Sequence, residues 1–123
     1  MKMANDFKRF TQSNLGTTSG AGATAVYTVP STGAVAMESI VIGITLANTS
    51  SSGITADVFL DNYDGSNDVY IVKNASIPAG SSLEVMSGNK LVLQGDGTDN
   101  DAIKVSSSAS SSLDCTVSVL EDV

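Results

Sequence analysis

The run Val35 to Ala47 (Val-Ala-Met-Glu-Ser-Ile-Val-Ile-Gly-Ile-Thr-Leu-Ala) is the longest apolar stretch in the chain and limits what it can fold into. From Ile40 onward one parity carries Ile40, Ile42, Ile44 and Leu46. The other carries Ser39, Val41, Gly43, Thr45 and Ala47. A period of two belongs to a strand, with successive side chains on opposite faces. A helix would crowd β-branched residues and a glycine into the same two turns, at a propensity cost for each. The run therefore predicts a central strand whose large face fills a core and whose small face lies under a loop or a neighbour.

Other stretches repeat the pattern. Thr24 to Val29 is extended and stopped by Pro30, which has no N–H and holds the residue before it out of the helical region. Ile54 to Asp61 alternates Ile54, Ala56, Val58 and Leu60 inward with Thr55, Asp57, Phe59 and Asp61 outward. Phe59 on the outward parity is a candidate interface residue, or lies under the N-terminal segment. After the turn-forming Asn62 to Asn67, Asp68 to Asn74 predicts the hairpin partner. Ser82 to Met86 and Lys90 to Gln94 predict a second hairpin across Ser87 to Asn89. Ala102 to Ser106 and Leu113 to Leu120 complete the set, with Leu113, Cys115, Val117 and Val119 on one parity.

Short strands with turn residues every eight to twelve positions predict an all-β protein, an antiparallel β-sandwich of about eight strands, jelly-roll-like or immunoglobulin-like. A closed barrel also fits, and the strand order is not legible. At 123 residues there is length for one core, residues 23–123, preceded by an arm and linker, residues 1–22. Asn5 to Leu15 is able to extend as a first strand. Aromatics are only 5% and Trp is absent, so the core must be built from Val, Ile, Leu and Ala.

Charge is divided unevenly. Residues 1–10 hold Lys2, Lys8 and Arg9 against Asp6, while the remainder holds three lysines against twelve acids, within a net charge of −7. An acidic body repels phosphate backbones, so no nucleic-acid partner is expected. Acidic loops that keep the protein soluble explain the split, as does a basic arm that docks on an acidic neighbour. In that second reading Phe7, Lys8, Arg9 and Phe10 are the partner-binding cluster. No membrane segment or secretion signal is expected: no run reaches the length needed to span a bilayer. The expected origin is the cytoplasm of a host cell, and Asn48-Thr49-Ser50 and Asn74-Ala75-Ser76 read as turn residues rather than glycosylation sites.

The chain has no histidine, which removes the common triads, imidazole metal sites and the ordinary general base near neutral pH. One cysteine, Cys115, cannot form a zinc site and sits on a core parity, where an inert thiol is expected. Gly20-Ala-Gly22-Ala-Thr-Ala25 matches a dinucleotide fingerprint in letters, but strand follows it rather than helix, so it reads as linker. Calcium is the one cofactor weighed, on Asp96, Asp99 and Asp101 or on Asp61, Asp64 and Asp68. Neither set fits the spacing of a calcium loop, and turns use these residues anyway. No cofactor and no enzymatic activity are expected.

The start Met3-Ala4-Asn5-Asp6-Phe7-Lys8-Arg9-Phe10-Thr11 resembles small virion structural proteins of tailed bacteriophages, particularly those of marine bacteria. The resemblance continues through Val26 to Ser31, Ile44 to Asn48 and Ile71 to Leu83, and covers most of the chain as strand and turn motifs. It implies a sandwich that assembles on the particle, and it brings no catalytic residues with it. Head decoration (cement), neck, tail, baseplate and fibre accessories share this architecture. Decoration of the head is the leading expectation, with the shell protein or other virion proteins as partners. A homo-oligomer is expected, a trimer being one form. A tail or fibre module binding a host glycan through Tyr63 is the alternative. The resemblance also suggests Met3 as the start rather than Met1.

Overall fold

The computed structural model describes residues 5–30, 37–63, 68–86, 90–96 and 98–122, and among them it is all-β. The strands are β1 (Asn5–Gln12), β2 (Thr24–Thr28), β3 (Met37–Asn48), β4 (Ile54–Asp61), β5 (Val69–Ile77), β6 (Ser82–Glu84), β7 (Leu91–Gly95), β8 (Ala102–Ser107) and β9 (Leu113–Asp122). They form two antiparallel sheets. One runs β1-β9-β3-β6, with β7 also on β3, and the other runs β2-β8-β4-β5. Inward residues of both sheets meet in one core, including Ile44, Leu46, Val117 and Val119 from the first and Val58, Ile103 and Val105 from the second. Each fully buried branched side chain contributes about 1.5–3 kcal/mol, and this core, without tryptophan, relies on their number.

β3 is the central strand of the first sheet, but its faces are not those of an unbroken alternation. Against β9 the register shifts between Val41 and Gly43. Before the shift Ser39 and Val41 point inward, at 1% and 0% exposure; after it Ile44 and Leu46 do, both at 0%. Ile40 and Ile42, expected in the core, lie on the outer face, Ile42 being 40% exposed. A bulge adds one residue to one strand, and one residue reverses every face beyond it.

The second hairpin does not form. β6 and β7 both pair antiparallel with β3, β6 at Thr45 to Ala47 and β7 at Met37 to Val41. Twelve residues of β3 give an edge long enough for both short strands laid end to end. The Ser87 to Asn89 turn lies outside the described residues. The first hairpin forms as expected, β4 on β5, and β5 runs on to Ile77.

The N-terminal segment is part of the sandwich. β1 pairs with β9 over eight consecutive residues, Asn5↔Asp122 to Gln12↔Cys115. Leu15, 1% exposed, belongs to the core, and its N–H donates to the Leu113 carbonyl. The Gly16 carbonyl accepts from Ser107 N–H, and Gly20–Gly22 is a single 3-10 turn that leads straight into β2.

Candidate interaction surface

Strand alternation divides the Phe7-Lys8-Arg9-Phe10 cluster between two faces. Phe7 and Arg9 stand opposite Leu120 and Ser118 on the outer side of the first sheet. Lys8 and Phe10 stand opposite the core residues Val119 and Val117. Phe10 therefore serves this chain's own interior. Its ring centroid lies 4.7 Å from that of Tyr27, and the ring packs against the core. Lys8 reaches under the sheet to Glu121, with Nζ 2.9 Å from Oε1. That contact lacks the angles of a directed hydrogen bond and is an ion pair. Glu121 Oε2 accepts from the Tyr27 hydroxyl, which also meets Ser39 Oγ at 2.7 Å. The Glu121 carboxylate holds the Lys8 ammonium above the ordinary lysine value, first through that direct contact and then through its charge. Burial, and then the bond to Glu121, push the Tyr27 phenol well above its ordinary value. This cluster locks β1, β2, β3 and β9 together.

One row of the outer face is apolar. Phe7, Leu120, Ile40 and Val92 stand in register across β1, β9, β3 and β7 and form one row over the outer face. Phe7 is 76% exposed and Val92 55%, with Ile42 beside them at 40%. Phe7, Arg9, Ile42 and Ser118 line an open groove at its β1 end. Exposed apolar side chains are unremarkable singly; here Phe7 and Val92 stand at the two ends of a row whose middle members, Leu120 and Ile40, are half-buried. Arg9 and Glu38 are exposed on this face.

Phe59 keeps its outward parity but is 1% exposed. Tyr70, directly across on β5, covers it with ring centroids 5.4 Å apart, and Lys73 lies 5.0 Å over the Tyr70 ring. Two register shifts between β4 and β5 bring Tyr70, rather than a neighbour, opposite Phe59. The expectation that Phe59 lies under the N-terminal segment or in an interface gives way to this local stack.

The acidic loops hold backbone. Asp101, 5% exposed, accepts from Tyr63 N–H through Oδ1 at 2.7 Å and from Gln94 N–H through Oδ2 at 2.9 Å. Asp96 Oδ1 accepts from Thr98 and Asp99 N–H, and those two bonds hold its carboxyl below the usual range. In the second set, Asp61 pairs with Lys104 at 2.9 Å. Burial and the Asp61 charge push the Asp68 carboxyl up, and Asp64 lies outside the described residues. Asp96 and Asp101 thus build turns, while Asp61 ties β4 to β8. Tyr63, the glycan candidate, is half-buried and tethered by its own N–H to Asp101. Cys115 lies in the core at 2% exposure, and burial pushes its thiol up to about 12.

No protein-family model and no curated protein matches the chain. Among solved structures it is similar to one described as the structure of infectious bursal disease virus Gx strain, at 12% identity and a TM-score of 0.36. The match covers 96% of this chain and 36% of that one, so the chain spans little more than a third of the length of its match. A likeness this slight carries no conclusion about what the chain does.

Proposed function

We propose that this chain is a non-enzymatic virion structural protein, a head decoration protein of a tailed phage that docks on the shell protein through the outer face of its first sheet. The observation that carries the reading is the Phe7–Leu120–Ile40–Val92 row, apolar, in register across four strands and exposed at both ends. The resemblance of residues 3–11 and the later motifs to phage virion proteins supports the same assignment. A rigid two-sheet body adds contact area between shell subunits without needing a reactive group, and aromatic anchors with a flanking Arg are what such contacts use. Here Phe7 is the anchor and Arg9 its flanking charge, with Lys8 and Phe10 positioning them from below.

Particles that lack this protein should burst at lower temperature, and on dilution, than complete ones; equal robustness counts against cementing. The same face would serve a neck or tail position, and stoichiometry separates the two. Copy numbers that match the shell lattice indicate the head, and those of a single ring indicate the neck or tail.

A further inference from the structure

We propose that the edge of β1 away from β9, which pairs with no other strand among the described residues, joins two copies of this chain, antiparallel about a two-fold axis through Phe7, so that two five-stranded sheets run on as one. The inference adds an oligomer to the docking surface and does not rest on the virion assignment.

An edge strand presents unpaired N–H and C=O groups, and proteins blunt such edges with bulges, short strands or charges. The other edges are blunted. β2 shifts register against β8 between Ala25 and Tyr27. β5 shifts twice against β4 and carries Asn74 at φ 53. The far edge of the first sheet is divided between β6, of three residues, and β7, of five. β1 alone keeps eight pairs in unbroken register, so its free side is long and regular. Its charges are Asp6, Lys8 and Arg9, of which Lys8 is paired with Glu121 while its side chain stays 45% exposed.

Charge selects the register. An axis through Asp6, Lys8 or Arg9 sets that residue against its own copy, and like charges directly opposite are destabilising. An axis through Phe10 leaves Phe7 facing residue 13, beyond the end of β1. An axis through Phe7 sets Asp6 opposite Lys8 of the second copy, twice by symmetry, and brings the two Phe7 rings together. Phe7 is the most exposed large apolar side chain among the described residues, at 76%.

The pairing also extends the apolar row. Val92, Ile40, Leu120 and Phe7 of one copy run into Phe7, Leu120, Ile40 and Val92 of the other, in a single stripe across both sheets. One row alone is small against the roughly 800 Å² per partner of a standard interface, and the doubled stripe presents twice as much to whatever covers it.

Sedimentation of the purified chain at about 100 µM, enough to populate any contact of micromolar affinity, should show a dimer. Phe7→Glu should be monomeric, with an unchanged circular dichroism spectrum and, at concentrations too low for the dimer, an unchanged urea midpoint. For a positive readout, Phe7→Cys should cross-link to its copy under mild oxidation. Residues directly opposite have Cα atoms about 4.5–5.5 Å apart, within the span of a disulfide. Thr11→Cys, which this register places far from its own copy, should not. A monomeric wild type, a dimeric Phe7→Glu, or cross-linking of Thr11→Cys in place of Phe7→Cys overturns the proposal. A dimer that binds no particle leaves the pairing standing and removes the virion reading; a monomer that binds particles does the reverse.

Discussion

Lys8 places its ammonium 2.9 Å from a carboxylate oxygen of Glu121, a residue only 1% exposed, two positions away along the register of the neighbouring strand. Glu121 would otherwise hold a buried charge answered only by the Tyr27 hydroxyl. The pair binds β1 to β9, and with it the strand that carries Phe7 and Arg9. Charge removed from either end therefore acts on the strand that carries Phe7 and Arg9 without touching either residue.

Tyr27→Phe should lower stability by about 1–3 kcal/mol, because it leaves Glu121 Oε2 and Ser39 Oγ without their hydroxyl partner. The midpoint of urea unfolding should fall while its slope stays constant. The pH dependence has a definite sign. Both Lys8 and Tyr27 titrate above their ordinary values of 10.5 and 10.0, so their contributions are complete below those values. They are lost as pH rises through the folded-state values. Wild type should lose stability above about pH 10, and Tyr27→Phe should show a shallower fall. A Tyr27→Phe slope equal to that of wild type would rule out the phenol's part.

The bulge in β3 makes neighbours unequal. Ile44→Ala should cost about 2–5 kcal/mol, whereas Ile42→Ala should cost well under about 1 kcal/mol, since Ile42 is 40% exposed and Ile44 is not exposed at all. Thermal melts of the two variants check this directly. Equal losses would restore the unbroken alternation.

Asp101→Asn should destabilise by about 1.5–3 kcal/mol, because an amide cannot accept at both positions where Tyr63 and Gln94 donate. With the Asp101 oxygens already bonded to backbone N–H, the melting temperature should be the same in calcium and in chelator. A rise with calcium would show the loop to be a metal site.

Cys115 should be inert in the folded protein. A buried thiol with its ionisation pushed up to about 12 offers almost no thiolate at neutral pH. Its labelling by a maleimide should follow the rate of unfolding and quicken in urea, and rapid labelling of the native chain would contradict its placement.

Phe7→Ser with Val92→Ser should leave the unfolding free energy within about 0.5 kcal/mol of wild type while abolishing attachment to virus particles, measured by co-sedimentation. Both side chains are exposed, so the core has little to lose.

Alternation and turn residues were enough to locate β2, β3, β4, β8 and β9 and the inward parity of Leu113 to Val119, because each is a property of neighbours in sequence. The same local reasoning marked Phe7 to Phe10 as a cluster. It treated as one unit four residues that a strand must deal alternately to two faces. Glu121 stayed hidden because its importance comes from burial beside Tyr27, and nothing near it in the chain foretells that.

The sequence by itself determined which stretches extend and where they stop, since period-two patterning, Pro30 and the Asn/Asp/Gly turns act within a few residues. Tertiary structure alone decided which isoleucines of β3 are buried, that β6 and β7 share its edge, and that Tyr70 covers Phe59. Those outcomes depend on register between strands distant in the chain. A shift of one residue in pairing turns every later side chain to the opposite face.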